Sequence, residues 1–204
     1  MKILWAHGLE GSTNGSKPTW IKENLGWDVV PIDMSERGWT IGEQTAVVLD
    51  KILENEEIDL IIGSSYGGLA IANAANKLIR RDLKIVLMAP AFGLAENFEK
   101  IAGLDGLNEW ENSGFRPYFH HGLNKEIQLS WNFIVSARKM SWPEINHPTV
   151  IIHGISDEIV SIESSRKVAE SNSNVELIEV EDGHRLGDSL HFIPIAVKKV
   201  LSKE

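Results

Sequence analysis

A nearly unbroken apolar run, Ile58-Asp59-Leu60-Ile61-Ile62, ends in Gly63-Ser64-Ser65-Tyr66-Gly67-Gly68, and a stretch holding Ala70, Ala72, Ala74 and Ala75 begins at once. The apolar run suits a strand buried on both faces, the environment of a parallel sheet. The small residues after it suit a closely packed helix, expected over residues 67–80. Short apolar runs alternate with longer amphipathic ones along the chain, the pattern of βα units. Strands are expected at residues 2–6, 28–32, 59–62, 84–88, 149–152 and 175–180. Ser16 and Pro18 suit the start of a helix reaching Leu25. Thr40 and Glu43 have capping-box spacing ahead of Val47, Val48, Ile52 and Leu53. Ser161 can cap a helix to about Ala169, and Pro194 starts or kinks the last one.

Residues 91–147 break this rhythm, because they are far longer than an ordinary connection between strands. They hold Phe92, Phe98, Trp110, Phe115, Tyr118, Phe119, Trp131, Phe133 and Trp142, most of the chain's aromatics. The segment reads as a short helical cap inserted into a single domain over residues 1–204. Its aromatics either line a pocket or pack cap helices on the sheet.

A chain of 204 residues can build a core that stands without disulfides or metals. Its formal charge of −9 argues against a nucleic-acid surface or a polybasic membrane contact, since both need clustered Lys and Arg. The absence of cysteine removes disulfides, thiolate catalysis and Cys-ligated metals, and fits a reducing cytoplasm. No apolar run approaches a membrane span, and Ile3-Leu4-Trp5-Ala6 is too short for a signal-peptide core. His120 and His121 would diverge in a helix or a strand, and no H-E-x-x-H string occurs, so no metal is expected.

The glycine-serine turn carries the chemistry. A G-x-S-x-G string arises by chance in about one chain in ten at this length, with Gly and Ser near ~7% each. Its place between a strand and a helix is what gives it weight. In such a nucleophile elbow Ser65 projects above the sheet, and Gly63 and Gly67 are bare because side chains there would collide. Ser64 is in the wrong register between the glycines. A serine hydroxyl needs a base. Of the seven histidines, His184 follows the last expected strand and meets the chain order Ser, acid, His. Asp157 lies beyond the preceding strand, placed to accept from Nδ1–H of His184 and fix its tautomer. Glu158 is the nearest competitor, and Asp182 is almost adjacent to His184. After the first strand, His7-Gly8-Leu9-Glu10-Gly11-Ser12 offers the Leu9 amide, which with the Tyr66 amide would form an oxyanion hole. His7 itself reads as a buried residue bonded to loop backbone.

HGLEGS at the first strand, GSSYGG at the elbow, HGISDEIV at the acid and DGH near the end together resemble the α/β-hydrolase superfamily. The compact length and the HGLEGS start are closest to small bacterial esterases of the YqiA type. The resemblance implies a serine esterase or thioesterase without cofactor, with Ser65, Asp157 and His184 as triad and the Leu9 and Tyr66 amides as oxyanion donors. The first expected strand begins at residue 2, so a leading antiparallel hairpin is expected to be absent, leaving a mostly parallel sheet of about six strands.

Hydrolysis of a short- to medium-chain acyl or aryl ester is the leading expectation, on a small-molecule substrate. A thioesterase would use the same apparatus, with Arg116, Arg138 and Lys139 as candidate contacts for an acyl-CoA. A non-catalytic binding protein on the same fold is the alternative of another class; peptidase, lactonase and carbon–carbon hydrolase activities carry less weight.

Overall fold

The computed structural model describes residues 1–79 and 81–203. Among them the strands are β1 (Lys2–Ala6), β2 (Asp28–Ile32), β3 (Leu60–Ser64), β4 (Lys84–Met88), β5 (Phe115–His120), β6 (Lys125–Ser130), β7 (Thr149–Gly154) and β8 (Val175–Val180). The helices are α1 (Ser16–Leu25), α2 (Ile41–Glu54), α3 (Tyr66–Ala75), α4 (Leu94–Ser113), α5 (Asn132–Met140), α6 (Glu163–Ser171) and α7 (Ile193–Leu201). Six strands form one sheet in the order β2-β1-β3-β4-β7-β8, and β5 pairs only with β6. Every pairing in the larger sheet is parallel.

The central strands are almost wholly apolar because both faces are covered, while the edge strands β2 and β8 are partly exposed and β8 carries Glu176 and Glu179. Ile3, Trp5, Ile62, Val86 and Ile152 pack with Ile21 of α1 and Val197 of α7. Leu4, Ile61, Leu87 and Ile151, from the opposite face, pack with Val48 of α2 and Leu69 of α3. Each fully buried aliphatic side chain contributes roughly 1.5–3 kcal/mol, so the sheet is the most strongly fixed part of the chain.

Strand order creates the crevice. From β1 the chain winds outward to β2, then returns to β3 on the other side of β1 and continues through β4, β7 and β8. Loops leaving β1 and β3 therefore diverge above the carboxyl ends, where open α/β sheets bind ligands. Ala6 pairs with Gly63, so the loop after β1 emerges beside the turn after β3. Gly154 pairs with Val180, which sets the loops after β7 and β8 side by side.

The Thr40–Glu43 capping box forms, with Glu43 N–H donating to Thr40 Oγ1 at 3.2 Å and Thr40 N–H to Glu43 Oε2 at 2.9 Å. Pro194 falls in the first turn of α7, where its missing N–H costs nothing. The helix expected over residues 67–80 starts at Tyr66 and stops at Ala75. Beyond it the bonds tighten to Lys77 N–H on Ala74 O (3.0 Å) and Leu78 N–H on Ala75 O (2.8 Å), which unwinds the helix. The expected end at Arg80 lies outside the described residues.

Residues 91–147 form the long connection between β4 and β7. The segment is helical through α4 and α5, as expected, and adds the antiparallel β5–β6 hairpin. Helix α4 is interrupted at Gly103 (φ 67°, ψ 172°), a conformation open to glycine and strained for other residues. Among the described residues no helix is long and apolar enough to cross a membrane.

Candidate active site

Ser65 stands between β3 and α3 with φ 53° and ψ −117°, in a sparsely populated region for a non-glycine residue. Such a conformation costs of order 1–3 kcal/mol and persists only where its surroundings hold it. Here Ser65 N–H donates to Met88 O at 2.9 Å, and Ser65 O accepts from Leu69 N–H (3.1 Å) and Ala91 N–H (3.0 Å). The turn is thus clamped by the end of β4 as well as by its own helix.

The flanking glycines are required by close approach. A Cβ on Gly63 would run into the Ile71 side chain and lie 3.1 Å from the Gly67 backbone. A Cβ on Gly67 would collide with the carbonyl oxygens of Ala6 and His7, so it is chiefly β1 that excludes a side chain there.

Ser65 Oγ lies 3.0 Å from His184 Nε2, and His184 Nδ1 lies 2.8 Å from Asp157 Oδ2. With its proton on Nδ1 donated to Asp157, the ring leaves Nε2 free to accept from the serine hydroxyl. Asp157 is fully buried on the loop after β7. Its Oδ1 accepts from the N–H groups of Ile159 (2.9 Å) and Val160 (2.8 Å). Its Oδ2 also faces His153 Nε2 at 3.1 Å. Burial alone would raise its pKa. The hydrogen bonds from His153, His184 and Val160, with the attraction of His184, outweigh burial and hold the carboxyl well below the ordinary aspartate range. Asp182 is engaged elsewhere, accepting from Gly183 N–H (2.7 Å) and Asp188 N–H (3.0 Å) within its own loop.

The loop after β1 closes over the serine. A Cβ on Gly8 would sit 3.3 Å from Ser65 Cβ, so only a small residue permits this approach. Leu9 and Tyr66 both line the cleft, and neither amide N–H has an acceptor among the described residues. His7 is buried; its Nδ1–H donates to Gly8 O at 2.8 Å and its Nε2 accepts from Met34 N–H at 3.4 Å. Burial, only partly opposed by the Gly8 bond, pushes its pKa down.

The cleft holding Ser65 and His184 has a volume of about 620 Å³. Phe92, Leu94, Phe98 and Leu129 give it an apolar wall, while Trp110 and Phe133 are core residues beneath. The insert's aromatics therefore divide between lining and packing. Arg116 lines the cleft, but Arg138 pairs with Glu99 at 2.7 Å and lies over Trp131, away from it. Lys139 does not line the cleft.

Three features escape the sequence reading. His153, fully buried at the end of β7, is held between Ser165 Oγ (2.7 Å from Nδ1) and Asp157, so it braces the carboxylate from behind. A histidine ending an apolar strand four residues before an acid is the one signal that could have found it. The β5–β6 turn packs on the loop after β1: a Cβ on Gly122 would strike Glu10 O and lie 2.9 Å from Gly11 O, and Tyr118 Oη donates to Glu10. Phe133 of α5 stacks on Tyr66, with centroids 5.8 Å apart. These contacts join residues remote in sequence.

A model of the family described as "Uncharacterised protein family (UPF0227)" matches residues 2–199. No curated protein matches the sequence. Among solved structures, α/β hydrolase domain-containing protein 10 from mouse is 21% identical, with a TM-score of 0.77 over 98% of this chain and 89% of that one. Est1E from Butyrivibrio proteoclasticus with ferulic acid bound is 19% identical, with a TM-score of 0.78 over 99% and 90%. An esterase from Exiguobacterium antarcticum is 16% identical, with a TM-score of 0.63 over 99% and 92%. At such identities the likeness is one of fold, and this chain has the α/β-hydrolase fold over nearly its whole length.

Proposed function

The chain belongs to the UPF0227 family, and from that membership together with the cleft geometry we propose that it is a serine hydrolase cleaving carboxylic esters. The observation that carries this reading is the unbroken relay from Asp157 through His184 to Ser65, at 2.8 and 3.0 Å, with the serine held in a strained turn. The hydrolases and esterases among its structural neighbours favour the same class. A bound aromatic acid in Est1E, and the apolar wall here, favour a short- to medium-chain acyl or aryl ester.

In this mechanism Ser65 Oγ attacks the ester carbonyl carbon while its proton passes to His184 Nε2. The new oxyanion is held by the Leu9 and Tyr66 amides; one such donor is worth about 10²–10³ in rate. Collapse breaks the bond to the alcohol oxygen, which takes the proton from His184. Water then attacks the acyl-enzyme, giving its proton to His184, and the acid leaves as Ser65 Oγ regains that proton. Asp157, kept ionised, stabilises the imidazolium formed in each half-reaction. A thioester would follow the same steps with a thiolate leaving group. A ligand-binding protein would have no use for a strained serine set against a histidine–carboxylate pair.

The test is turnover of 4-nitrophenyl esters of graded acyl length by the wild type and by Ser65→Ala, with fluorophosphonate labelling of both. Turnover and labelling by the wild type alone are expected. Full activity in Ser65→Ala, or a well-folded wild type that neither turns over nor is labelled, would overturn the reading.

A further inference from the structure

The chain carries a formal charge of −9, yet the cleft around Ser65 is lined by three cations, Lys17, Arg116 and Arg185, against one carboxylate, Glu10. Glu10 is occupied by the Tyr118 hydroxyl, and Arg116 is spread over the Trp110 ring at 5.6 Å. Lys17 and Arg185 are different. Like several other cations of the surface, neither has a carboxylate within 4.0 Å among the described residues; what sets these two apart is the cleft they line.

Their placement is specific. Lys17 lies in the first turn of α1, half-buried at the cleft, and Arg185 follows His184 directly. Both line the same cleft; burial depresses the Lys17 ammonium pKa, and the positive charge of Arg185 depresses it further. Asp182 offers partial relief, but its oxygens face the amides of Gly183 and Asp188. Solvated surface cations ordinarily diverge into water. Lys17, half-buried, and Arg185, exposed at the rim, instead line one cleft, and two cations there provide a potential that attracts and holds an anion.

We propose that Lys17 and Arg185 form an anion-holding subsite, so that the ester cleaved here carries a carboxylate on its acyl or its alcohol portion. This rests on the serine-hydrolase reading and narrows it. The apolar wall takes the uncharged part of the substrate, and the paired cations take the charged end. Free diffusion then favours the anionic ester over its neutral counterpart, and so does binding.

Two matched pairs of substrates test this and tell acyl-side from alcohol-side charge. 4-Nitrophenyl glutarate half-ester is compared with 4-nitrophenyl valerate, and 4-acetoxybenzoate with its methyl ester. In at least one pair the charged member is expected to be favoured in kcat/KM by about tenfold, equivalent to about 1.4 kcal/mol. The preference should fall to near parity in the Lys17→Gln/Arg185→Gln double variant and rise at low ionic strength. Lys22→Gln, on the same helix outside the cleft, should keep it. A wild type indifferent to charge in both pairs, or a folded double variant that keeps the preference, would overturn the subsite while leaving the esterase reading intact. Calorimetric binding of the same compounds to Ser65→Ala provides a readout without turnover. Tighter binding of a charged member, lost with Lys17 and Arg185, supports the subsite even if the folded wild type neither turns over an ester nor takes fluorophosphonate, a pair of results that would sink the hydrolase reading alone.

Discussion

The sheet and the insert build the two halves of the cleft by different means. Ser65, Asp157 and His184 sit on short loops directly after β3, β7 and β8, so each is fixed within a few residues of a sheet strand; β3 and β7 are buried on both faces, and β8 is the partly covered edge. The cleft wall from α4, β5, β6 and α5 rests instead on an aromatic cluster in which Phe133 packs against Phe98 (ring centroids 4.7 Å apart) and Trp110 (6.0 Å). In the proposed mechanism, chemistry is thus tied to the sheet and substrate fit to the insert. Loops on a rigid scaffold carry function for this reason.

The sharpest way to separate the halves is to damage each in turn. Asp157→Asn keeps shape but offers His184 a wrong partner, and kcat should fall by about 10⁴-fold with KM little changed, as measured on the best 4-nitrophenyl ester. The same variant has a second signature. Asp157 has a folded-state pKa depressed below its ordinary 3.8, so its contribution to stability is complete above that value and is lost as pH falls below it. Denaturant midpoints should therefore drop less steeply from pH 5 to 2.5 in Asp157→Asn than in the wild type. Trp110→Ala addresses the insert. Trp110 is 1% exposed and its Nε1–H donates to Leu129 O at 2.9 Å. Its loss should cost about 3–5 kcal/mol. Hydrogen exchange should rise in α4 and the hairpin first, with KM raised and Ser65 still labelled by fluorophosphonate. Equal loosening of the sheet strands would break the proposed division.

The same division decides what could be read in advance. Strands β1, β2, β4 and β8 have the boundaries expected of them, because each is a short run rich in Ile, Leu and Val with turn or charged residues at its ends. The elbow was legible because a glycine-serine turn between a strand and an alanine-rich helix has few other uses. The hairpin was not. In β5 the apolar Phe115 and Phe119 are 58% and 48% exposed, while Arg116, Tyr118 and His120 turn inward. Its two phenylalanines face outward and its polar-tipped residues face inward, with Arg116 and Tyr118 lining the cleft, so the alternation that normally marks a half-buried strand is inverted. His153 was hidden for another reason: its partners Val160 and Ser165 come from a loop and a helix whose packing only the fold supplies. Lys17 and Arg185 are separated by most of the chain and meet only above the sheet.

One contact crosses the division, and it gives a smaller prediction that tests how strict the separation is. The turn between β5 and β6 rests on the oxyanion loop through Gly122. Gly122→Ala would push Glu10 and Gly11 aside, moving the Leu9 amide without touching the triad. A fall in kcat of about tenfold is expected, less than the 10²–10³ of losing a donor outright. KM should hardly move. A change in KM alone would mean that the insert shapes substrate fit and nothing else.

The smallest expected effect comes from the cap of α2, the helix packed beside α3. Thr40 caps α2 through Oγ1 and donates its own N–H to Glu43 Oε2 in return, so Thr40→Ala removes one acceptor for an otherwise orphaned N–H. The cost should be about 1 kcal/mol in denaturant unfolding. The test has a sharper edge than its size suggests, because Tyr66 Oη donates to the carbonyl of the neighbouring Trp39 at 2.7 Å. If the cap loosens only the helix end, kcat/KM stays within twofold and the sheet-borne site is insulated from its helices. A larger loss of kcat would mean that the Tyr66 amide is positioned through Trp39, and that the scaffold's rigidity at the oxyanion hole depends on α2 as well as on the sheet.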